Sequence, residues 1–194
     1  MQTDSAARTV AMSEDLSAAE RNSRFSGWAF DAAALDEPAA RACAVLQANA
    51  TALPPIHRVL LASPDIALTI DALSKRLWSG ALSRPVLEAT FMVVARRLQC
   101  REQWERHWPK ALAAGIPADS LSAIEQGMCP KGPNDVRLAW QLADRLFGGL
   151  PLTVGLRDEG LDRFGRQGMA EFCAFLGHAT IVALTLNLQL PPAR

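Results

Sequence analysis

An excess of charge of either sign is missing from this sequence. Over 194 residues, Lys plus Arg is 20 and Asp plus Glu is 20, for a formal net charge of 0. That balance argues against a general nucleic-acid binder, which needs a basic field to meet phosphates. Cysteine is sparse: the four residues Cys43, Cys100, Cys129 and Cys173 form no C-x-x-C pair. A 21.0 kDa chain with 49% apolar residues has core enough to fold without disulfide staples. Reduced thiols in a cytoplasmic protein are therefore expected. The first 26 residues hold no apolar run, so no secretory leader is expected. Neither an H-x3-H nor a C-x2-C pair is present, so no metal is expected. The segments GLRDEG and FGGL follow no strand, so neither a phosphate loop nor a nucleotide cofactor is expected. Strand patterning is weak throughout, with no alternating run bounded by turn residues.

Long uncharged stretches are nearly absent as well. Residues 172–190 make one of 19 residues, close to the roughly 20 a bilayer span requires. His178, Thr180, Thr185, Asn187 and Gln189 interrupt it, and hydrocarbon tolerates such groups poorly. A core or subunit-interface helix is the better reading, and no membrane partner is expected.

What is present is helical periodicity. Residues 1–36 are polar and weakly periodic. They read as a flexible extension, with a short helix over 14–24 and with Trp28 and Phe30 available to dock it. Residues 37–194 read as a single all-α domain. Pro38 starts a helix running to about 50, and Pro54 and Pro55 break the pattern. Ser63 and Pro64 then cap and open a helix whose apolar stripe is Ile66, Ile70, Leu73 and Leu77, ended by Gly80. Ser83 caps the next, which runs to about 98, with a break at Gln99 and Cys100. The following helix contains Pro109, where a kink is expected, and stops at Gly115. Residues 117–126 and 134–147 make two more. Residues 152–160 read as a loop. One or two last helices start near 158 and are interrupted over 165–168.

One region is unusual. Glu88 is the only charge between Arg84 and Arg96 on a helix that is apolar nearly all round, and such a helix is buried. Burial of a carboxyl group without a partner favours its neutral form, which makes Glu88 a candidate proton donor or acceptor. The next helix places Cys100, Gln103, Trp104 and His107 at i, i+3, i+4 and i+7, on one face. Cys100 falls near the helix N-terminus, where the macrodipole favours a thiolate. His107 could take its proton through a water or a substrate. The other reading of this pair is a structural cysteine and a histidine bonded to a carbonyl. His178 is the only ionisable group in the long apolar helix, either lining a pocket or satisfied in the core. His57 reads as a surface or packing residue, Glu171 as half of a structural ion pair, and Asn187 as bonded to backbone. Trp104 and Trp108 flank His107 as pocket wall, core or interface. Glu102 and Arg106 read as a solvated helix pair.

Glu88, eleven residues, Cys100, two residues, Gln103, three residues, His107 resembles the signature of the alkyl hydroperoxidase D and carboxymuconolactone decarboxylase superfamily. Its peroxidase branch reads E-x11-C-x2-C-x3-H. Its decarboxylase-like branch lacks the second cysteine and often reads C-x-Y-E-W-x-x-H, beside CREQWERH here. The segments LPPIHRVLLASPDI, ALAAGIPADSLSAI and MAEFCAFLGHATIVALTLN resemble further family elements in the same order, so the resemblance covers roughly residues 50–190. It implies an alkyl hydroperoxidase D-like helical bundle, with the site between two helices. It also implies a homo-oligomer, commonly a trimer or hexamer.

Carried over by position, Glu88, Cys100 and His107 are the catalytic candidates. Gln103, Trp104 and His178 are the substrate-binding ones. Gln103 stands where the peroxidase branch has its resolving cysteine, so no local relay disulfide can form. A cofactor-free acid–base enzyme follows, of the decarboxylase, lyase or isomerase type, acting on a small carboxylated, lactone or enolisable carbonyl substrate. Protonated His107 and the Gln103 amide would stabilise the developing enolate. The alternatives are a one-cysteine peroxidase working through Cys100 with an external thiol, and a scaffold that only binds a ligand.

Overall fold

A computed structural model describes residues 31–48 and 53–188. The expected helix over 14–24 and the docking by Trp28 and Phe30 lie outside the described residues. Among those described, all regular structure is helical and no strand forms. The all-α class therefore holds. The end of the expected extension already has local order: Asp31 accepts from Ala33 N at 2.9 Å and caps a 3₁₀ turn at Ala32–Ala34.

Short helices come first. Helix α1 (Glu37–Gln47) is capped by Asp36, whose carboxylate accepts from Ala39 N at 2.9 Å. The two prolines expected only to break the chain also start a helix, α2 (Pro55–Leu60), because a proline at the first position lacks only an N–H that would go unused there. Helix α3 (Pro64–Trp78) begins as expected, but the Ser63 side chain makes no capping bond. Its buried stripe is Ala67, Ile70 and Leu77, while Ile66 is exposed. These three helices share a small apolar cluster built on Ala42, Cys43, Leu46, Leu61 and Ala67.

Helix α4 (Arg84–Arg97) is the centre of the main core. Each residue from Val86 to Ala95 is at most 3% exposed. An amphipathic helix buries one stripe; α4 is apolar all round and is enclosed on every side. Helices α5 (Arg101–Ala113), α6 (Ala118–Glu125), α7 (Asn134–Phe147) and α8 (Val154–Asn187) all pack against it. Ser83 sits at its N-cap without a side-chain bond. The expected break between α4 and α5 is present, with Gln99 at φ 51°. Asn187 Nδ2 donates to Leu98 O there at 2.7 Å, so it bonds backbone. Helix α5 contains Pro109 and continues through it to Ala113.

The expected loop over 152–160 is instead mostly helix. Thr153 Oγ1 accepts from Leu156 N at 3.3 Å and opens α8 at Val154. Gly155 and Gly160 have low helix propensity, but tertiary packing overrides it. A Cβ on Gly160 would lie 2.6 Å from Met169 Sδ. Nine residues of straight helix span about 13 Å, so this approach requires the chain to turn sharply between them. It turns at Gly165, inside the expected interruption, with φ 69° and ψ 176°, a region that essentially only glycine visits. No atom lies within 4 Å of a Cβ built there. Gly165→Ala is therefore expected to cost about 1–3 kcal/mol through the backbone alone, read as a lower urea midpoint with an unchanged slope.

Past this turn, α8 packs on α2, α3, α4 and α5 and buries Phe172, Phe175, His178, Ala179 and Ala183. It is long and apolar enough to cross a membrane by length and composition. Glu171 ties it to the loop before α4: Oε2 accepts from Ala81 N at 2.6 Å and Oε1 from Gln167 Nε2 at 2.8 Å. Those bonds, Gln167 first, hold its carboxyl below the usual carboxylate range.

Candidate active site

A cavity of about 370 Å³ lies where α2 and α3 face α4, α5 and α8. Helical spacing presents the polar groups. Arg84 and Phe91 line the cavity from α4, and Gln103, His107 and Lys110, at i, i+4 and i+7, line it from α5; Glu88, one turn after Arg84, lies behind His107 and is not itself a wall. Asp71, Ser74 and Trp78 come from α3, His57 from α2, and His178 from α8. All 3 histidines of the chain thus line one cavity.

The closest polar contact joins α4 to α5. Glu88 Oε2 lies 2.7 Å from His107 Nδ1, and the Glu88 side chain is fully buried. A carboxylate only accepts, so Nδ1 donates and Nε2 is left with the lone pair. Glu88 Oε1 lies 2.7 Å from an Arg84 guanidinium nitrogen, at an angle outside directed hydrogen bonding, which leaves Oε1 without a hydrogen bond proper. The expectation had treated Glu88 as a carboxyl without a partner; it has two. Arg84 in turn lies 4.1 Å over the Trp78 ring, a cation–π placement that steadies it. The His107 ring stacks on Phe91 with centroids 4.2 Å apart and planes 13° from parallel.

Burial governs the histidines. Desolvation lowers the pKa of His107, Glu88 opposes it, and Lys110 and Arg84 add to the lowering. Desolvation also lowers His57, against the pull of Asp71; its Nε2 is 4.0 Å from Asp71 Oδ1. His178 is pushed down to about 4, by desolvation first and then by His57 and His107. Imidazoles held below 6.5 are mostly neutral at pH 7 and available as bases.

A measurable pH dependence follows from His178. Between pH 6.5 and about 4 the unfolded chain carries a proton on this ring that the folded chain does not. Stability is therefore complete above 6.5 and falls as pH drops toward 4. The contribution is on the order of 3 kcal/mol. Urea midpoints measured from pH 7.5 to 4.5 should fall less steeply for His178→Phe than for the wild type; parallel curves would refute the assignment.

The structure brings together Glu88, His107, Gln103 and His178 and leaves two candidates apart. Cys100 is fully buried at the N-cap of α5 within the main apolar core, and does not line the cavity. Trp104 is 6% exposed in the same core, tilted against Trp108 at 5.7 Å, and does not line the cavity either. Consecutive helical residues are about 100° apart, so Gln103 and Trp104 look in different directions. His57, read as a surface or packing residue, is a buried cavity wall. Arg84, Asp71, Trp78 and Lys110 were not singled out as site residues at all. The i, i+4 spacing of Arg84 and Glu88 was the signal that could have found the first. Arg106 pairs with Glu102 as expected, yet also lines the cavity. Among the described residues, no group of three or more His, Cys, Asp or Glu is arranged to hold a metal ion.

A comparison with protein-family models gives no match, and no curated protein matches the sequence.

Proposed function

We propose that the cavity is the active site of a cofactor-independent acid–base enzyme of the alkyl hydroperoxidase D and carboxymuconolactone decarboxylase type, acting on a small carboxylated, lactone or enolisable carbonyl compound. The observation that carries this reading is the Glu88–His107 contact of 2.7 Å at the wall of a cavity that Arg84, Arg106 and Lys110 also line. The cations receive a carboxylate or carbonyl oxygen. Neutral His107 takes a proton from the carbon next to the carbonyl through Nε2. The C–H electron pair moves into an enolate, whose oxygen the cations meet, while Glu88 stabilises the imidazolium that forms. In a decarboxylation the electron pair left behind by departing carbon dioxide reaches the same enolate, and a protonated His107 returns a proton to carbon.

The test is proton NMR of a panel of β-keto acids, 2-keto acids and lactones in D2O at pH 7.5. Enzyme-dependent deuterium uptake or carbon dioxide release is expected, lost in His107→Asn. No reaction anywhere on the panel would overturn the reading. The thiol peroxidase alternative is disfavoured by the burial of Cys100 away from the cavity. Fast sulfenate trapping at Cys100 under a small excess of peroxide would revive it. A homo-oligomer belongs to the same proposal and is supported by Ile181 and Leu184 on α8 and Leu188 at its C-cap, which are 37%, 54% and 57% exposed at helical spacing.

A further inference from the structure

The loop 79–83 joins α3 to α4, and each of its ends carries a wall of the cavity, Trp78 before it and Arg84 after it. The Arg84 guanidinium lies 4.1 Å over the Trp78 ring and 2.7 Å from Glu88 Oε1, while Glu88 Oε2 holds His107 Nδ1. Arg84 is the first residue of α4, and Ser83 before it makes no capping bond. A first turn without a side-chain cap frays unless something else holds the entering chain.

Helix α8 supplies that hold at two points, from residues one turn apart. Glu171 Oε2 accepts from Ala81 N at 2.6 Å, and its other oxygen is steadied by Gln167 Nε2 at 2.8 Å. A Cβ built on Gly168 would lie 3.4 Å from Leu82 Cδ2, so Leu82, the one buried residue of the loop, rests where α8 has no side chain. Gly80 completes the clasp. A Cβ on it would run into the Glu171 carboxylate, so a glycine there is what lets the carboxylate reach Ala81.

We infer that Glu171 is a positioning residue of this site. By clipping the 79–83 loop to α8 it keeps the first turn of α4 wound, and so keeps Arg84 against Glu88. It touches neither Glu88 nor His107. The inference rests on the acid–base reading only for what the site does.

The test follows the histidine ring signals of the full chain by NMR from pH 8 to 4, without substrate. Arg84 adds to the lowering of the His107 pKa, so freeing Arg84 should make His107 titrate at higher pH. His107 also faces Glu88 of α4, Lys110 on its own helix and His178 of α8, and shares the cavity with His57 and Asp71; none of these bonds to Glu171. Glu171→Ala should therefore raise the His107 titration. Gly80→Ala should raise it by the same amount, because its methyl displaces the carboxylate; Gly80 is not at positive φ, so the methyl adds no backbone strain. Glu171→Gln should stay at the wild-type position, since its amide oxygen still accepts from Ala81 N. In an Arg84→Met background Glu171→Ala should move His107 no further, the non-additivity expected of residues that act in series. If Glu171→Ala does not fold, Gly80→Ala decides. An unmoved His107 in the folded variants, or the same movement with and without Arg84, would overturn the inference and leave Glu171 a stability contact alone. Proton exchange in D2O with an unmoved His107 would sink this inference and keep the acid–base reading; a moved titration with no exchange anywhere on the substrate panel would do the reverse.

Discussion

If the proposed acid–base reading holds, Glu88→Gln is expected to lower the rate of proton transfer at pH 7.5 by roughly 10²–10⁴-fold, the usual contribution of a positioned general base, and to leave a folded protein. The amide has nearly the shape of the carboxyl it replaces, so packing inside α4 is kept. Its hydrogen-bonding ends are no longer equivalent. Glu88 offers one oxygen to His107 Nδ1 and the other to the Arg84 guanidinium. Glutamine can satisfy one of them only. With its oxygen toward His107, its NH2 faces Arg84, donor against donor. With its oxygen toward Arg84, its NH2 donates to Nδ1 and forces the imidazole proton onto Nε2, so the base is lost. The charged Arg84, 2.7 Å from that oxygen position, favours the second arrangement, since a cation attracts the amide oxygen and repels its NH2.

A second consequence separates this account from simple misfolding. Glu88 raises the pKa of His107 against desolvation, so in the variant His107 should titrate at still lower pH. Histidine ring signals followed by NMR from pH 8 to 4 would show it. Activity within tenfold of wild type, or an unmoved His107 titration, would refute the role given to this pair.

The legible parts of this fold were those written locally. Pro38 and Pro64 sit in the first turns of helices where short-range chemistry says they should. The uniform apolar character of residues 86–95 announced a helix enclosed on all sides. Glu88 stood out there as a lone charge on such a helix, but its partners Arg84 and His107 were not foreseen. The failures are tertiary. Ser63 and Ser83 occupy cap positions without capping, and no sequence pattern distinguishes a capping serine from an idle one. Residues 154–160 carry two glycines and read as a loop, yet Gly160 is there because Met169 packs where a side chain would be. The candidate site was half legible. Gln103 and His107 were found through their shared face, but the same face took in Cys100 and Trp104, which turn into the core. His57 and Trp78 come from α2 and α3 and reach the cavity only because those helices pack across it. That arrangement depends on packing, not on spacing.

Phe175→Ala should cost roughly 3–5 kcal/mol of stability, the range for deleting a buried phenyl ring, and a loss of this size lowers Tm by about 6–20 °C in a domain of this length. Phe175 has no solvent exposure. It stands edge-on to Trp78 at 5.0 Å and to Phe91 at 5.1 Å, and tilted against His178 at 6.2 Å. Each such aromatic pair adds about 0.5–1.5 kcal/mol beyond the area it buries. Three of its neighbours are cavity walls, so its loss also lets Trp78, Phe91 and His178 relax away from the positions that shape the site. Phe172 is the control. It too is fully buried, one turn earlier on the same helix, but it stacks on Phe164 at 6.5 Å and does not line or prop the cavity. Phe172→Ala should lose a similar amount of stability while leaving ligand affinity within about threefold at a temperature where both variants are folded. Phe175→Ala at that temperature should weaken binding of the same ligand by tenfold or more, since misplacing walls and hydrogen-bonding groups by even an ångström forfeits contacts that fall off over that distance. Equal losses of affinity in the two variants would mean that Phe175 contributes bulk alone and that the aromatic cluster does not position the site.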